Sequence, residues 1–124
     1  MTQSKGDKSM SLRERIENDK LYQLLIKIKE KPEMFLGDAD LNILHGWIIG
    51  YNLYKTLHSI KSDIDLLEID NNISFDEYVH NHYDNYTTIG WLKLITFYSW
   101  NKRSSLETFF DLLFEYIDYC CNKE

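Results

Sequence analysis

The stretch L-E-T-F-F-D-L-L-F-E-Y-I-D-Y-C, residues 106–120, decides the fold class. Its apolar side chains recur at the i, i+3, i+4, i+7 spacing that places them along one side of a helix. The residues on this side are Leu106, Phe109, Phe110, Leu113, Phe114 and Ile117. The aromatic side chains of this stretch, Phe109, Phe110, Phe114 and Tyr116, are expected to lie in a hydrophobic core. The rest of the chain shows no convincing alternation with period two, so we predict an all-α, single-domain bundle of about five helices.

Three helix starts are marked by a serine that is followed three residues later by a glutamate. The pairs are Ser11 with Glu14, Ser74 with Glu77, and Ser104 with Glu107. In such a capping box the serine hydroxyl accepts a backbone N–H of the first turn, and the glutamate accepts the N–H of the serine. We therefore expect a helix to follow each serine.

The predicted helices cover most of the chain. They run from Leu12 to Lys31, from a cap at Asp38 or Asp40 to Lys61, from Phe75 to Tyr83, from Ile89 to Trp100, and from Leu106 to Cys120. Residues 62–72 form either a loop or a frayed helical turn, because apolar and polar residues alternate there without a clear period. Residues 1–10 are polar and expected to be disordered, which leaves residues 11–124 as the folded domain.

The second predicted helix has apolar residues around most of its circumference. A helix of this kind is usually buried on all sides, so we expect it to be the most buried one of the bundle. Gly46 and Gly50 lie four residues apart on one of its faces and lower its helix propensity. They are expected to allow the close approach of a neighbouring helix.

Negative charge is concentrated between Ser62 and Leu92, a stretch without lysine or arginine. It holds seven of the twenty carboxylates, whereas the rest of the chain, with fourteen basic and thirteen acidic residues, is nearly neutral. The acidic residues are Asp63, Asp65, Glu68, Asp70, Asp76, Glu77 and Asp84. Such a field can steer a cationic partner. The alternative is an acidic, solvated face of a helical domain.

The composition limits the classes of function. A net charge of −6 and an isoelectric point near 5.2 argue against direct binding to a nucleic-acid backbone. The sequence contains no apolar run long enough for a membrane span and no export signal, so we expect a cytoplasmic protein that does not bind membranes. The adjacent Cys120 and Cys121 are expected to be reduced thiols.

No catalytic constellation can be identified in the sequence. His80 and His82 would point to different faces of a helix, which disfavours a shared metal ion. The close carboxylate pairs are too numerous to single out a general acid and base, and the glycines form no phosphate-binding loop. We therefore expect neither an enzyme nor a bound cofactor or metal.

A short turn separates the first two predicted helices. Pro32 is expected to end the first helix, and Gly37 to supply the conformation of the turn. Between them, Met34, Phe35 and Leu36 are expected to pack back into the core.

This turn lies in the segment K-I-K-E-K-P-E-M-F-L-G, residues 27–37, which precedes Gly50-Tyr51 in the next helix. The segment resembles the R-P-x-M-Y-L-G pattern, followed after a helix by G-Y, of small bacterial immunity proteins encoded beside polymorphic or contact-dependent growth-inhibition toxins. Lys31 and Phe35 stand where that pattern has arginine and tyrosine. The likeness extends through the helix starts at Ser74 and Trp91 and the segment 107–113, and so spans residues 21–119.

The resemblance implies a protein that binds the C-terminal domain of a cognate toxin and blocks its active site or its access to substrate. A nuclease toxin would carry a basic cleft, for which an acidic surface with aromatic side chains is a suitable plug. The expected contact residues are Asp63, Asp65, Glu68, Asp70, Asp76, Glu77, Tyr78, Tyr83, Asp84 and Tyr86. The alternative function is a helical adaptor or regulatory module without a toxin partner. The oligomeric state does not follow from the sequence.

Overall fold

The computed structural model describes residues 10–61, 64–70 and 72–123, and this part of the chain holds seven helices and no β-strand. The helices are α1 (Leu12–Glu17), α2 (Lys20–Glu30), α3 (Pro32–Leu36), α4 (Leu41–Leu57), α5 (Phe75–Tyr83), α6 (Trp91–Phe97) and α7 (Lys102–Cys121). The all-α class is confirmed, while the number of helices exceeds the predicted five. Apart from Met10, the N-terminal segment expected to be disordered lies outside the described residues.

The first predicted helix is divided because Asp19 starts a new helix inside it. The capping box of Ser11 and Glu14 opens α1 as expected, but α1 ends after six residues. The carboxylate of Asp19 then accepts the backbone N–H of Tyr22 at 3.1 Å and caps α2. An aspartate favours a cap over a helix interior because its side chain competes for backbone hydrogen bonds.

The turn that follows is itself a helix, and Pro32 begins it. Proline suits this first position because its missing N–H would have no partner there. Gly37, with φ of +84°, ends α3. The expectation that Met34 and Phe35 enter the core is wrong, since Met34 is 70% exposed and Phe35 is exposed as well. A five-residue helix presents only one narrow side to the core, and Leu36 takes that place.

Helix α7 is the most buried helix of the described residues. Its buried side chains include Leu106, Phe109, Phe110, Leu112, Leu113, Tyr116 and Ile117. The predicted aromatic core is confirmed for these residues, whereas Phe114 is half-buried at the edge. The predicted start at Ser104 is wrong, because Asn101 caps the helix. The Asn101 side chain accepts the N–H of Ser104 at 2.9 Å, and the Ser104 hydroxyl accepts the N–H of Asn101 at 2.9 Å.

Phe75 connects three helices at the centre of the core. Its fully buried ring lies 5.3 Å from Trp91 of α6, 5.6 Å from Phe109 and 5.9 Å from Tyr116 of α7, measured between ring centroids. All three contacts are edge-to-face, the arrangement that aromatic quadrupoles favour. This packing fixes α5, which carries part of the acidic segment, against α6 and α7.

Helix α4 lies at the surface, so the expectation that it is the most buried helix is wrong. Only Leu41, Leu44 and Ile48 are buried, on the side that meets α6 and α7. The glycine expectation also fails within the described residues, because a Cβ atom at Gly46 or Gly50 would meet no atom within 4 Å. The sequence cannot distinguish apolar residues packed inside one chain from apolar residues left for a contact outside it.

The other boundaries differ from the prediction by a few residues, except in α5. The bounds of α5 are as predicted, with the capping box of Ser74 and Glu77 intact. Asp40 caps α4, which ends at Leu57 because Ser59 adopts a φ of +55°. Helix α6 is shorter than predicted at both ends. Within residues 64–70 and 72–73 the backbone is not helical, which favours the loop for this part of 62–72.

No helix in the described ranges combines the length and apolar character that crossing a membrane requires.

Candidate functional site

The acidic segment is divided among one helix and two loops. Asp76, Glu77, Tyr78 and Tyr83 lie on α5. The loop before α5 carries Asp65, Glu68 and Asp70, and the loop after it carries Asp84 and Tyr86. Asp63 lies outside the described residues. The expected contact residues therefore surround α5 but do not all face the same way.

An open hollow of about 440 Å³ lies beside α5 and brings some of these residues together. Its walls are formed by Asp76, Glu77 and His80 from α5, Tyr86 and Thr87 from the following loop, and Asn72, Ile73 and Asn81. The hollow thus combines two carboxylates with an aromatic ring and amide groups. This combination suits polar contact with another molecule, because each group can accept or donate hydrogen bonds.

Both carboxylates of the hollow also hold the fold. Asp76 Oδ1 accepts the backbone N–H of Trp91, at the start of α6, at 2.8 Å. Glu77 accepts the backbone N–H of Ser74 at 2.9 Å, and the Ser74 hydroxyl accepts the N–H of Glu77 at 3.2 Å. Within the described ranges, neither Asp76 nor Glu77 pairs with a lysine or an arginine. The two carboxylates are therefore fixed in position, and Asp76 also has the titratable ring of His80 beside it.

His80 forms the buried wall of the hollow. Its Nδ1 lies 2.8 Å from the backbone carbonyl oxygen of Asp76 and 3.4 Å from Asp76 Oδ2. The hydrogen bond to the carbonyl raises the pKa of His80 above its ordinary value, and the nearby carboxylate acts in the same direction, against the effect of burial. Protonation of His80 would thus be favoured beside the acidic residues.

Asp70 and Asp65 lie apart from the hollow. Lys123 Nζ is 2.9 Å from Asp70 Oδ2, and its hydrogen bond lowers the pKa of Asp70, with help from the N–H of Asn72. Asp65 accepts the N–H of Leu67 at 3.1 Å and lines a smaller hollow of about 150 Å³ beside Lys55. Internal pairing therefore reduces the charge that Asp70 offers to a partner.

The three tyrosines expected to anchor a partner differ in exposure. Tyr78 packs against Tyr116 and Tyr119, with ring centroids 5.6 and 5.9 Å away. Tyr83 stacks on Tyr98 at 4.4 Å. Tyr86, at 69% exposure, is the one whose ring is largely open to solvent. Among them, Tyr86 is the best placed to enter a pocket on another protein.

Large exposed apolar residues were not anticipated by the sequence reasoning. Trp100 is 97% exposed and Phe97 is 75% exposed at the end of α6. Helix α4 exposes a further set, namely Ile43, Ile49, Leu53, Tyr54 and Leu57. Helix α4 has a single charged residue in 17, a composition that is compatible both with burial on all sides and with an exposed apolar side.

Comparisons with known proteins give no assignment: no family model matches the chain, and no curated protein or solved structure matches it significantly.

Within the ranges that the structure describes, no group of three His, Cys, Asp or Glu side chains could hold a metal ion. The arrangement around α5 offers fixed charge and hydrogen bonding, which are properties of a binding surface.

Proposed function

We propose that the protein is an immunity protein, which binds the toxic C-terminal domain of a cognate bacterial toxin and neutralises it by covering its active site or substrate access. The proposal combines the resemblance of residues 27–37 and 50–51 to such proteins with the surface around α5. It requires binding only and assigns no catalytic step to this chain.

The observation that carries the proposal is the acidic hollow beside α5. Glu77 of α5 and the mostly exposed ring of Tyr86, from the loop after α5, line it together, and Phe75 anchors α5 in the core. A rigid surface of this kind loses little conformational entropy on binding. Its carboxylates would speed association with a basic partner, and Tyr86 would supply the buried anchor.

The partner expected for this surface is a toxin with a basic cleft, such as a nuclease. An enzyme that acts on RNA or DNA uses lysine and arginine to hold phosphates. An acidic surface can occupy the same cleft in place of the substrate. Inhibition would then follow from exclusion of the substrate, without any chemical change in either protein.

The test uses the toxin encoded next to this chain, with growth protection and affinity as readouts. The variant combines Glu68→Gln, Glu77→Gln and Asp84→Asn. Glutamine can still accept the Ser74 N–H in the capping box, and asparagine tolerates the φ of +52° at position 84. We expect at least about a tenfold loss of affinity and a weaker dependence on salt concentration.

A matched control removes three charges from another surface. Glu30→Gln, Glu107→Gln and Asp111→Asn alter a separate hollow of about 330 Å³ that also contains Lys29 and Arg103. This control should bind the toxin as the unchanged protein does. Equal affinities for the two triple variants would refute the acidic contact surface, and lack of any binding to the adjacent toxin would favour the adaptor function.

Tyr86 is tested by replacement with alanine and, separately, with phenylalanine. Tyr86→Ala should reduce affinity by roughly tenfold to a hundredfold if the ring enters a pocket on the toxin. Tyr86→Phe keeps the ring and should retain most of the affinity. An alanine variant that protects cells and binds as well as the parent would exclude Tyr86 as an anchor.

A further inference from the structure

The outer side of α4 forms a continuous apolar surface, which we call the α4 stripe. It consists of Ile43, Gly46, Ile49, Gly50, Leu53, Tyr54 and Leu57, together with Trp47, which is half-buried against the core at the edge of the stripe. These residues follow one another at three- and four-residue steps, so they share one side of the helix. The stripe contains no charged residue, although the chain carries a net charge of −6.

The area of the stripe is large for a surface exposed to water. Five large residues of the stripe are each more than one third exposed, namely Ile43, Ile49, Leu53, Tyr54 and Leu57. Together they expose on the order of 600 Å² of surface to solvent. This area is at the upper end of what monomers expose as one apolar patch, and patches of this size are often functional. A standard protein–protein interface buries about 800 Å² on each partner, so the stripe and its rim would suffice for a stable contact.

Gly46 and Gly50, at the middle of the stripe, are not closely approached by another element in the described part of the chain. Glycine weakens a helix, and here no neighbouring residue comes within 4 Å of the position that a Cβ atom would take. Two glycines four residues apart allow the backbone of another helix to approach closely. The partner that uses this space must come from outside the described fold.

Six of the eight stripe residues are arranged symmetrically about position 48, whereas Tyr54 and Leu57 correspond to Asn42 and Ala39, which lie outside the stripe. Inverting the helix about this point exchanges Gly46 with Gly50, Trp47 with Ile49, and Ile43 with Leu53, and each of these residues belongs to the stripe. A two-fold axis that runs between two copies of α4, at the level of position 48, would therefore place this part of the stripe of one chain on that of another in antiparallel orientation. Interfaces with two-fold symmetry require this kind of self-complementary surface.

We propose that the α4 stripe is the interface of a homodimer, in which two copies of α4 cross in antiparallel orientation at Gly46 and Gly50. The absence of charge favours a second copy over the basic toxin, since the stripe offers no carboxylate to a cationic cleft and sets no like charges against each other when two copies meet. The dimer goes beyond the proposed function and leaves the acidic hollow of α5 open.

The first test measures the mass of the protein by sedimentation from about 1 to about 200 µM, the range in which an interface of this size would associate. The expected species has twice the 14.9 kDa of one chain. Ile43→Glu and Leu53→Lys each place a charge in the interface and should weaken the dimer at least about 100-fold. Asn52→Glu and Asn52→Lys add the same charges on another side of α4 and should leave the dimer intact.

Mixing the two interface variants tests the antiparallel orientation. The axis at position 48 sets the carboxylate introduced by Ile43→Glu in one chain against the ammonium group introduced by Leu53→Lys in the other. The mixture should therefore form a heterodimer although each variant alone is monomeric. Circular dichroism and thermal unfolding verify that the variants fold. Gly50→Leu provides a variant with higher helix propensity, which should be folded and monomeric because its side chain fills the crossing point.

Several results would overturn the proposal. They are a monomeric parent protein over the whole concentration range, a dimer that persists in Ile43→Glu and Leu53→Lys, and a Gly50→Leu dimer as tight as that of the parent. A mixture that stays monomeric would overturn the antiparallel crossing. None of these results depends on toxin binding, so the dimer and the proposed function can fail separately.

Discussion

The carboxylate of Asp76 caps a helix that begins fifteen residues later in the chain, at Trp91. Helix α6 has Gly90 at its N-cap, which has no side chain to accept a backbone N–H. Asp76 Oδ1 takes this place and accepts the N–H of Trp91 at 2.8 Å. A residue expected to contact a toxin therefore joins α5 to α6, and its substitution would change stability as well as binding.

Asp76→Ala should lower the free energy of unfolding by about 1 kcal/mol, the usual effect of removing a helix cap. Asp76→Asn keeps an oxygen that can accept the Trp91 N–H, so it should retain most of the stability. Urea unfolding followed by circular dichroism measures both. Equal stabilities for the two variants would show that the hydrogen bond to Trp91 does not stabilise the fold.

Tyr116 fixes the loop that precedes α5. Its hydroxyl donates to the carbonyl oxygen of Ile73 at 2.8 Å and accepts the N–H of Ile69 at 3.0 Å. Tyr116→Phe leaves these groups without their partner and should reduce the free energy of unfolding by about 1–3 kcal/mol. Hydrogen exchange at the Ile69 amide should become faster. Tyr119→Phe changes an exposed residue and is the control, for which no comparable effect is expected.

The stability contributed by His80 should depend on pH. Its pKa is raised in the folded protein, chiefly by the hydrogen bond to the Asp76 carbonyl, so folding favours the protonated ring. This contribution is complete below the unfolded pKa of about 6.5 and is lost as the pH rises through the higher folded pKa. The stability difference between the parent and His80→Gln should thus be larger near pH 5 than near pH 9.

Comparing the two proteins at the same pH removes the effect of the other titrating groups. A constant difference between the parent and His80→Gln across this range would contradict the predicted protonation.

The ion pair between Lys123 and Asp70 can be tested through the titration of the carboxyl group. The hydrogen bond from Lys123 is the main cause of the lowered pKa of Asp70. Lys123→Gln should move this pKa upward towards the ordinary value of 3.8, measured by NMR of the Asp70 carboxyl carbon. Lys102→Gln removes a charge that pairs with Asp38 and should leave the Asp70 titration unchanged.

Local features of the sequence were sufficient to predict α5 and most of α7. Ser74 and Glu77 lie three residues apart and form the reciprocal hydrogen bonds of a capping box, and the aromatic side chains of α7 follow one helical period. Neither feature depends on distant parts of the chain. The division at Asp19 was missed because an aspartate inside an apolar pattern is compatible with both a cap and an exposed helix position.

Contacts between distant residues could not be predicted in the same way. The acceptor for the Trp91 N–H lies on another helix, and Lys123 reaches Asp70 from 53 positions along the chain. The exposure of α4 depends on what its outer side meets, which its own residues do not specify. The acidic segment could therefore be predicted from the sequence. The sequence does not show which of its carboxylates line the hollow.

The three tryptophans occupy different surroundings and would act as separate optical reporters. Trp91 is half-buried against the core, with its ring centroid 5.2 Å from that of Phe109. Trp47 lies at the edge of the α4 stripe, and Trp100 is surrounded by solvent. Chain unfolding should shift the emission of Trp91 to longer wavelengths and leave that of Trp100 almost unchanged. Quenching by iodide should act first on Trp100, so single-tryptophan variants would distinguish melting of the interior from events at the surface.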